Sequence, residues 1–210
     1  MSPETATTRD RLIEVAMRLF HEQGYGATGV AQILKEAEAK SGSLYYYFPA
    51  KEDLLLAVLE QYKKIMKPVL MAPVFERYED PLDQVFGLLE KYRDMLIKTN
   101  CTLGCPIGNI ALELADSHEE VRRLCGENFD NWKSAVGQCL EQAGERLHPD
   151  VKVGELASFF LTVMEGGIMQ ARAYRSIEPF DAAIASLKDY VKHLLKEDST
   201  WSAGRDHAID

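Results

Sequence analysis

The stretch of sequence that decides the fold is Gly42-Ser43-Leu44-Tyr45-Tyr46-Tyr47-Phe48. It predicts a short helix that Pro49 ends, with Leu44 and Phe48, four positions apart, on the side that faces the core. Neighbouring residues of a helix point in different directions, so the three consecutive tyrosines cannot all be buried as well. A phenol on the surface is large and carries a hydroxyl group, so that it can reach a phosphate group or a thymine methyl.

The sequence on either side predicts a compact set of helices within the first 66 residues. Apolar residues recur at three- and four-residue steps in the first of these helices, and Gly24 follows it as a C-terminal stop. The predicted helices cover about 8–23, 30–37, 41–48 and 51–66. Three short helices followed by a long one are typical of a DNA-binding domain with a helix-turn-helix.

The rest of the chain also predicts helices and no convincing strand pair, so the fold class is all-α. Pro68, Pro73 and Pro81 indicate a looser connection before these later helices. The later helices are predicted over about 81–99, 107–115, 117–147, 153–175 and 179–196. We expect a three-helix N-terminal domain over residues 1–50, a helical body over residues 51–198, and a disordered tail over residues 199–210.

The net charge of −9 is unfavourable for a protein that approaches phosphate groups, but it is unevenly distributed. Residues 1–70 contain nine basic and nine acidic side chains and are therefore neutral. Residues 71–210 contain 15 basic and 24 acidic side chains and carry the whole net charge. A neutral N-terminal part can approach DNA where an acidic body would be repelled, so the charge permits DNA binding without arguing for it.

Several classes of protein are not expected. No targeting segment is visible, and the most apolar stretch, residues 156–164, is far shorter than the roughly 20 residues of a membrane span, so we expect a cytoplasmic protein with no membrane partner. No zinc-binding spacing, phosphate-binding loop or Ser-His-Asp set stands out, so we expect no catalysis, metal or cofactor. The four cysteines are expected to be free thiols. They are Cys101, Cys105, Cys125 and Cys139.

The N-terminal part strongly resembles the TetR family of transcriptional repressors over about residues 8–60. The resemblance rests on Thr8-Arg9, Leu19-Phe20, Gly24-Tyr25, Thr28, Ile33-Leu34, Leu44-Tyr45-Tyr46-Tyr47-Phe48, Lys51-Glu52 and Leu54-Leu55. It implies a homodimer that binds a palindromic operator in double-stranded DNA and is released by a small-molecule effector. In such a dimer the two recognition helices lie about one DNA turn apart, roughly 34–36 Å.

The resemblance also implies which residues contact DNA. The positions that match those the family commonly uses are Thr28, Ser43, Tyr45, Tyr46, Tyr47 and Lys51. We add Lys40, Ser41 and Gly42, because a cation, a hydroxyl group and a missing side chain at the start of the recognition helix suit a phosphate group and a groove edge. For Tyr45, burial in the core and contact with DNA remain equal alternatives.

Two positions depart from the family. Glu38 stands where the family has a glycine in a left-handed turn, a conformation that costs a residue with a side chain on the order of 1 kcal/mol. Lys40 replaces the serine or threonine that caps the recognition helix, and Ser41 is the alternative cap. Near DNA, the carboxylate of Glu38 would be unfavourable unless it faces away.

The body resembles the LmrA/YxaF-like subgroup of the family in the segments Gly104-Cys105-Pro106-Ile107-Gly108-Asn109 and Ala111-Leu112-Glu113-Leu114-Ala115. The resemblance implies a response to small lipophilic or aromatic compounds, a ligand site between the middle helices, and pairing through the last two helices. The candidate ligand-binding residues are Phe86, Leu89, Tyr92, Cys105, Asn109, Phe129, Trp132, Met164 and Glu165. An ordinary core is the alternative for most of them. Trp132 and Glu165 are the best candidates, because a tryptophan offers a flat wall and a carboxylate in an apolar helix needs a partner.

Other functions compete with a ligand-released repressor. The first alternative is a regulator that senses thiol-reactive compounds through Cys101 and Cys105, with Lys98 as the local cation that could favour a thiolate. The second is a protein-interaction module that has lost DNA binding, which Glu38 and the low basicity suggest. A steep dependence of DNA affinity on salt would exclude the second alternative, because it reports phosphate contacts.

Overall fold

A computed structural model describes residues 7–199 and residue 201, and these residues form an all-α fold, as predicted. The helices are α1 (Thr8–Gln23), α2 (Val30–Glu36), α3 (Ser41–Tyr47), α4 (Lys51–Ile65), a π-helix (Met66–Met71), α5 (Ala72–Arg77), α6 (Pro81–Lys98), α7 (Pro106–Leu114), α8 (Glu119–Gln142), a 3-10 helix (Gly144–Arg146), α9 (Val153–Tyr174) and α10 (Glu178–His193). The described residues contain no β-strand, and an isolated antiparallel bridge joins Leu147 to Leu195.

The looser connection predicted around three prolines is wrong at Pro68 and Pro73, where the chain stays helical, whereas the helix is interrupted over residues 78–80, directly before Pro81. The π-helix Met66–Met71 directly follows α4, and α5 follows the π-helix without a break. Pro73 lies in the first turn of α5 and Pro81 in the first turn of α6. A proline is tolerated at these positions because the first backbone N–H groups of a helix have no intrahelical acceptor.

The described residues divide into two compact units. The first comprises the chain up to Ile65 together with residues 105–128, and the second comprises residues 66–104 and the chain from Phe129 onward. The predicted boundary after residue 50 is therefore not the boundary between these units. Helix α4, which the sequence assigned to the body, packs on α1 instead, and so does α7.

The first unit is built on an apolar core between α1, α2, α3 and α4. Helix α1 begins with a capping box, in which Thr7 and Asp10 each bond the other's backbone N–H group. The apolar stripe predicted for α1 is buried except for Val15, which is half-buried, and the helices that pack on it also bury apolar side chains. The core side chains include Leu12, Ala16, Leu19, Phe20, Ile33, Leu44, Leu54, Leu55 and Val58.

The second unit is dominated by the pairing of α9 with α10. Gly167 of α9 makes this pairing close, because a Cβ atom added there would lie 3.0 Å from the ring of Phe180 on α10. Gly87 of α6 has the same role for Tyr78, whose ring would lie 2.6 Å from an added Cβ atom. The contact at Gly87 is closer than Cβ atoms normally come, so a side chain there would force its neighbours to move, whereas at Gly167 the ring of Phe180 would have to shift by a few tenths of an ångström.

The predicted disordered tail is wrong at Trp201. This side chain is 9% exposed and stacks on Phe86 of α6. Residue 200 and residues 202–210 lie outside the described residues.

The start of α6 is fixed by a carboxylate that caps the helix and pairs with an arginine. Asp80 accepts hydrogen bonds from the backbone N–H groups of Leu82 and Asp83. Arg146, in the turn that follows α8, donates two further hydrogen bonds to the same carboxylate, at 2.6 and 2.9 Å. The Arg146 guanidinium holds the pKa of Asp80 below its ordinary value of 3.8.

Replacement of this carboxylate should destabilise the protein in a pH-dependent way. At pH 7, Asp80→Ala should lower the free energy of unfolding by about 1–2 kcal/mol, through loss of the cap and of a half-exposed ion pair. Because the pKa of Asp80 is lower in the folded than in the unfolded chain, its contribution is present above about pH 4 and is lost as the pH falls through the folded-state pKa. Urea denaturation between pH 3 and pH 7 measures the difference.

Asp80→Asn is the matched control, since asparagine keeps the cap and removes only the charge. It should lie between the wild type and Asp80→Ala at pH 7. A gap between wild type and Asp80→Ala that stays constant down to pH 3 would contradict this account.

Candidate functional site

Helix α3 presents a face of three exposed tyrosines above two buried anchors. Leu44 is 1% exposed and Phe48 is 3% exposed, so the prediction that both belong to the core is confirmed. Tyr46 is 80% exposed, Tyr45 is 54% exposed and Tyr47 is 39% exposed. Of the two alternatives for Tyr45, burial in the core is therefore wrong, and the side chain lies on the surface.

The start of α3 is also open to solvent. Lys40, Ser41 and Gly42 are exposed and Ser43 is half-buried. A Cβ atom added to Gly42 would have no neighbour within 4 Å, so this position leaves room for a close approach from outside. Lys40 occupies the N-cap position without a side-chain cap, and the alternative in which Ser41 caps the helix is wrong.

The turn between α2 and α3 has the strained conformation that the resemblance to the family implies. Glu38 has a φ of +50°, in the left-handed region that favours glycine. Neighbouring hydrogen bonds hold the turn in place: the N–H group of Ala39 donates to the carbonyl of Leu34, and Arg11 Nε donates to the carbonyl of Ala37 at 3.2 Å. The side chain of Glu38 is exposed.

The prediction that the Thr28 side chain contacts DNA is wrong, because this side chain is buried. It is 1% exposed. Its hydroxyl group donates to the carbonyl of Gly24 at 2.6 Å and accepts from Gln23 Nε2 at 3.1 Å. Thr28 therefore stabilises the turn that connects α1 to α2.

Lys51, for which a phosphate contact is predicted, also makes contacts within the first unit, and the phosphate contact stays a prediction. Its Nζ atom donates to the carbonyl oxygen of Tyr25 and lies 4.0 Å from the centroid of that ring. Partial burial lowers the pKa of the Lys51 ammonium, and the negative charge of Glu113 opposes part of this effect. At least one N–H donor of Lys51 is therefore directed inward, where it supports the turn between α1 and α2.

Glu113 of α7 holds the same turn from outside and is absent from the sequence-based candidates. Its two carboxylate oxygens accept hydrogen bonds from the backbone N–H groups of Tyr25, at 3.0 Å, and Gly26, at 2.6 Å. A Cβ atom added to Gly26 would lie 3.0 Å from Glu113 Oε1, so glycine makes this approach possible. The partners are almost ninety residues apart in the chain, and no local pattern predicts their contact.

Arg9 is a second residue that sequence reasoning missed. Its guanidinium carbon lies 5.4 Å from the centroid of Phe48, directly after the end of α3. The side chain is exposed, so its charge is available beside the three tyrosines. The spacing of the chain gives no signal for this juxtaposition, which depends on how α1 packs against α3.

The candidate ligand-binding residues are divided between the units. Seven of them lie in the second unit, and of these Phe86, Leu89, Trp132 and Met164 are buried while Tyr92, Phe129 and Glu165 are half-buried. Cys105 and Asn109 belong to the first unit. In the second unit, the Oε1 atom of Glu165 is fully covered by protein.

The cysteines are buried free thiols, as expected. Burial raises the pKa of Cys125 and Cys139 to about 11, which leaves little thiolate at neutral pH. Cys101 lies in the second unit and Cys105 in the first. The Arg175 side chain donates a hydrogen bond of 2.9 Å to the backbone carbonyl of Cys101. A cation other than Lys98 therefore lies near this cysteine. A thiol switch through Cys101 and Cys105 stays a prediction.

No helix in the described part of the chain is both long and apolar enough to cross a membrane. Nor do three or more His, Cys, Asp or Glu side chains come together there in a way that could hold a metal ion.

A short recognition helix that is anchored by two apolar side chains and exposes an aromatic, hydroxyl-rich face defines a helix-turn-helix DNA-binding regulator. Comparison with known proteins agrees. Residues 12–58 match the family described as "Bacterial regulatory proteins, tetR family", and residues 81–186 match "Transcriptional regulator LmrA/YxaF-like, C-terminal domain". The chain belongs to the TetR family of transcriptional regulators.

Individual relatives span most of the chain. It is 31% identical over 163 residues to the uncharacterized regulator YxaF of Bacillus subtilis (strain 168), covering 77% of this chain and 83% of YxaF. It is 29% identical over 186 residues to the regulator LmrA of the same strain, covering 88% and 97%. Among solved structures, regulatory protein TetR from Rhodobacter sphaeroides superposes with a TM-score of 0.79 at 24% identity, covering 87% of this chain and 98% of that one.

Removal of the Glu113 carboxylate should loosen the first unit. Glu113→Ala leaves two backbone N–H groups without this acceptor and should lower the free energy of unfolding by about 2 kcal/mol, since hydrogen bonds to a charged group are worth about 1.5–3 kcal/mol each when sheltered and less when exposed. Amide hydrogen exchange should become faster at Tyr25 and Gly26.

Leu112→Ala is the control from the adjacent position, because Leu112 is 82% exposed. It should change stability by less than about 0.5 kcal/mol. Unchanged exchange at Tyr25 and Gly26 in Glu113→Ala would show that the carboxylate does not hold the turn.

Proposed function

We propose that this protein is a ligand-responsive transcriptional repressor, which binds a palindromic operator as a homodimer in the cytoplasm and is released by a small lipophilic or aromatic effector. The observation that carries the proposal is the exposed face of α3. Tyr46 is 80% exposed although it is a large aromatic side chain, and it lies beside exposed small and basic residues at the helix start. Exposed aromatic surface of this kind is typical of a binding site.

The chemistry of the α3 face suits a major groove. Gly42 lets the helix start approach a groove edge, where Ser43 and Tyr46 offer hydroxyl groups to bases. Lys40 and Tyr47 are placed at either end of the helix to bind phosphate groups, together with Ser41. Tyr45 adds a third phenol on the same surface.

Arg9 extends this surface beyond the residues that the sequence suggested. Its exposed guanidinium beside Phe48 is placed to bind a phosphate group at the C-terminal end of α3. Thr28 and Lys51 contribute indirectly, because their hydrogen bonds keep the helices of the first unit in position.

An exposed apolar groove between α9 and α10 supports a homodimer. The groove has a volume of about 360 Å³. It is lined by Phe159, Thr162, Val163, Gly166, Gly167, Gln170, Ala183, Ser186, Leu187 and Tyr190. Phe159 is 43% exposed and Tyr190 is 48% exposed, and their rings pack edge to face with centroids 5.4 Å apart. We propose that a second copy of the chain covers this groove.

The two adjacent glycines of α9 serve different partners in this arrangement. Gly167 packs against Phe180 of the same chain, whereas a Cβ atom added to Gly166 would meet no atom within 4 Å. Gly166 therefore leaves room for a helix from the second copy. The dimer supplies two recognition helices, which a palindrome requires.

The proposed effector site lies in the second unit, among the seven candidates assigned to it. Phe86, Leu89 and Met164 supply an apolar lining, Trp132 supplies a flat wall, and Glu165 supplies a carboxylate that could fix the orientation of a ligand. Cys105 and Asn109 stay predictions as ligand-binding residues.

Substitutions on the α3 face should weaken DNA binding without loss of stability. The operator is first selected from a random double-stranded DNA pool, which should yield a palindrome with half-sites about one helical turn apart. Tyr46→Ala should reduce affinity by roughly tenfold or more and relax the base preference within each half-site. Lys40→Ala should weaken all sequences alike and reduce the salt slope by about one per protomer.

Lys152→Ala is the control for charge, because Lys152 is an exposed lysine of the second unit. It should leave both affinity and salt slope unchanged. Selection of no palindrome, or equal affinity of wild type and Tyr46→Ala for the selected DNA, would rule out this interface.

A charge in the α9–α10 groove should separate the protomers. Phe159→Glu buries a carboxylate in an apolar contact, so sedimentation should show a monomer and operator affinity should fall by roughly a hundredfold through loss of bivalent binding. Val69→Glu is the matched control, since Val69 is 53% exposed on the π-helix. A dimeric Phe159→Glu protein would place the dimer interface elsewhere.

A further inference from the structure

Trp201 occupies a slot on α6 in the second unit. Its indole ring stacks on Phe86, with centroids 5.0 Å apart and planes inclined by 27°. Its Nε1–H group donates a hydrogen bond of 2.8 Å to Asp83 Oδ1. Both the flat face and the single polar group of the indole are therefore used, and the residue is 9% exposed.

The walls of this slot have the chemistry of a site for a planar aromatic molecule. Phe86 provides the stacking surface, and Phe160 packs edge-on against it with centroids 5.4 Å apart. The ammonium of Lys188 lies 5.6 Å from the centroid of Phe86. Asp83 supplies a carboxylate acceptor at the edge. One apolar wall with one directed acceptor selects a flat ring that carries an N–H donor.

The occupant of the slot comes from outside the helices. It belongs to a segment that we call the C-terminal strap, residues 194–199 and 201, which follows α10. Two backbone hydrogen bonds attach the strap to the turn after α8. The N–H group of Lys196 donates to the carbonyl of Arg146 at 2.9 Å, and the N–H group of His148 donates to the carbonyl of residue 194, the first residue of the strap, at 2.8 Å. These bonds do not involve the indole, so Trp201 can leave the slot without breaking a helix.

The strap also connects to the first turn of α6. Arg146, which accepts the strap's hydrogen bond, donates two hydrogen bonds to Asp80 at the N-cap of α6. Asp83, the acceptor for Trp201, lies in that same first turn. A change in the occupant of the slot therefore acts directly on the helix that carries Phe86.

We propose that the Trp201 slot is a binding site for a planar aromatic ligand with an N–H donor, and that Trp201 is its internal occupant, which the ligand displaces. The inference deepens the proposed effector response and rests on it for the effect on DNA, whereas ligand binding itself needs no DNA. Because Trp201 competes for the slot, the apparent affinity of a ligand is lowered by the fraction of molecules whose slot is filled.

The test uses the full chain and indole as the probe, since indole is the ring of Trp201 itself. Trp201→Gly empties the slot, and calorimetry without DNA measures binding. Indole should bind to one site per chain, roughly tenfold or more tightly than it binds the wild type. Naphthalene has a similar flat shape without an N–H group and should bind several-fold more weakly than indole, because Asp83 is then left without its donor.

A double variant and a milder variant serve as controls. Trp201→Gly/Asp83→Ala should lose the preference for indole over naphthalene. Trp201→Phe keeps a stacked ring and lacks the N–H donor, so it should bind indole with an affinity between those of the wild type and Trp201→Gly. If the glycine variant does not fold, Trp201→Phe tests whether the slot binds indole. Indole binding no tighter than in the wild type, in a folded variant, would overturn the slot as a ligand site.

A second arm separates this inference from the proposed function. The selected operator should be released from Trp201→Gly protein at a lower indole concentration than from wild type. Indole binding with no effect on operator affinity would overturn the regulatory part of the inference and leave the slot standing. A chain that binds no DNA at all would overturn the proposed function, while the calorimetric result would still decide whether the slot takes indole.

Discussion

The burial of Leu44 and Phe48 beneath α3 is the interaction on which the proposed DNA-contacting surface depends. Helix α3 has seven residues, which is too short for a helix to be stable by itself in water. Two anchors four positions apart fix both its position and its rotation about its own axis. The exposure of the tyrosines between and beside these anchors is then a geometric consequence, and their hydroxyl groups are left for a partner.

The unit that carries α3 is completed by a helix from much later in the chain. Helix α7 lies within the stretch that matches the LmrA/YxaF-like C-terminal domain, yet it packs on α1 in the first unit. Through Glu113 it satisfies two backbone N–H groups of the α1–α2 turn, which Thr28 holds from the inside. The position of the recognition helix therefore depends on residues that a division by sequence would assign to the body.

Periodicity and stop signals in the sequence were sufficient to predict the helices other than the π-helix and α5, because those signals are local. Helix α1 runs from Thr8 to Gln23, as the apolar stripe and Gly24 predict, and the left-handed turn at Glu38 was expected from a single substituted glycine position. The roles of Thr28 and Lys51 could not be predicted in this way. Each has a side chain that suits a phosphate group, and only the packing of the first unit shows that the hydroxyl group of Thr28 and one N–H donor of Lys51 are directed inward.

The same limit explains the residues that sequence reasoning missed. Glu113 meets the α1–α2 turn across almost ninety residues, and Trp201 meets Asp83 across more than a hundred. A polar or aromatic residue near a chain end or on a helix surface carries no local sign of such a partner. Predicting these contacts from sequence would require the relative placement of α6, α7 and the chain that follows α10.

The openness of the α3 face bears on how regulators of this kind diverge. Gly42 has no neighbour that a side chain would meet, and Tyr46 is 80% exposed. In the proposed complex with DNA, substitutions at these two positions would therefore change the preferred operator at almost no cost in folding free energy, since surface positions tolerate substitution. After gene duplication, one copy can acquire a new set of target genes while Leu44 and Phe48 preserve the scaffold, so the evolution of specificity is separated from the evolution of stability.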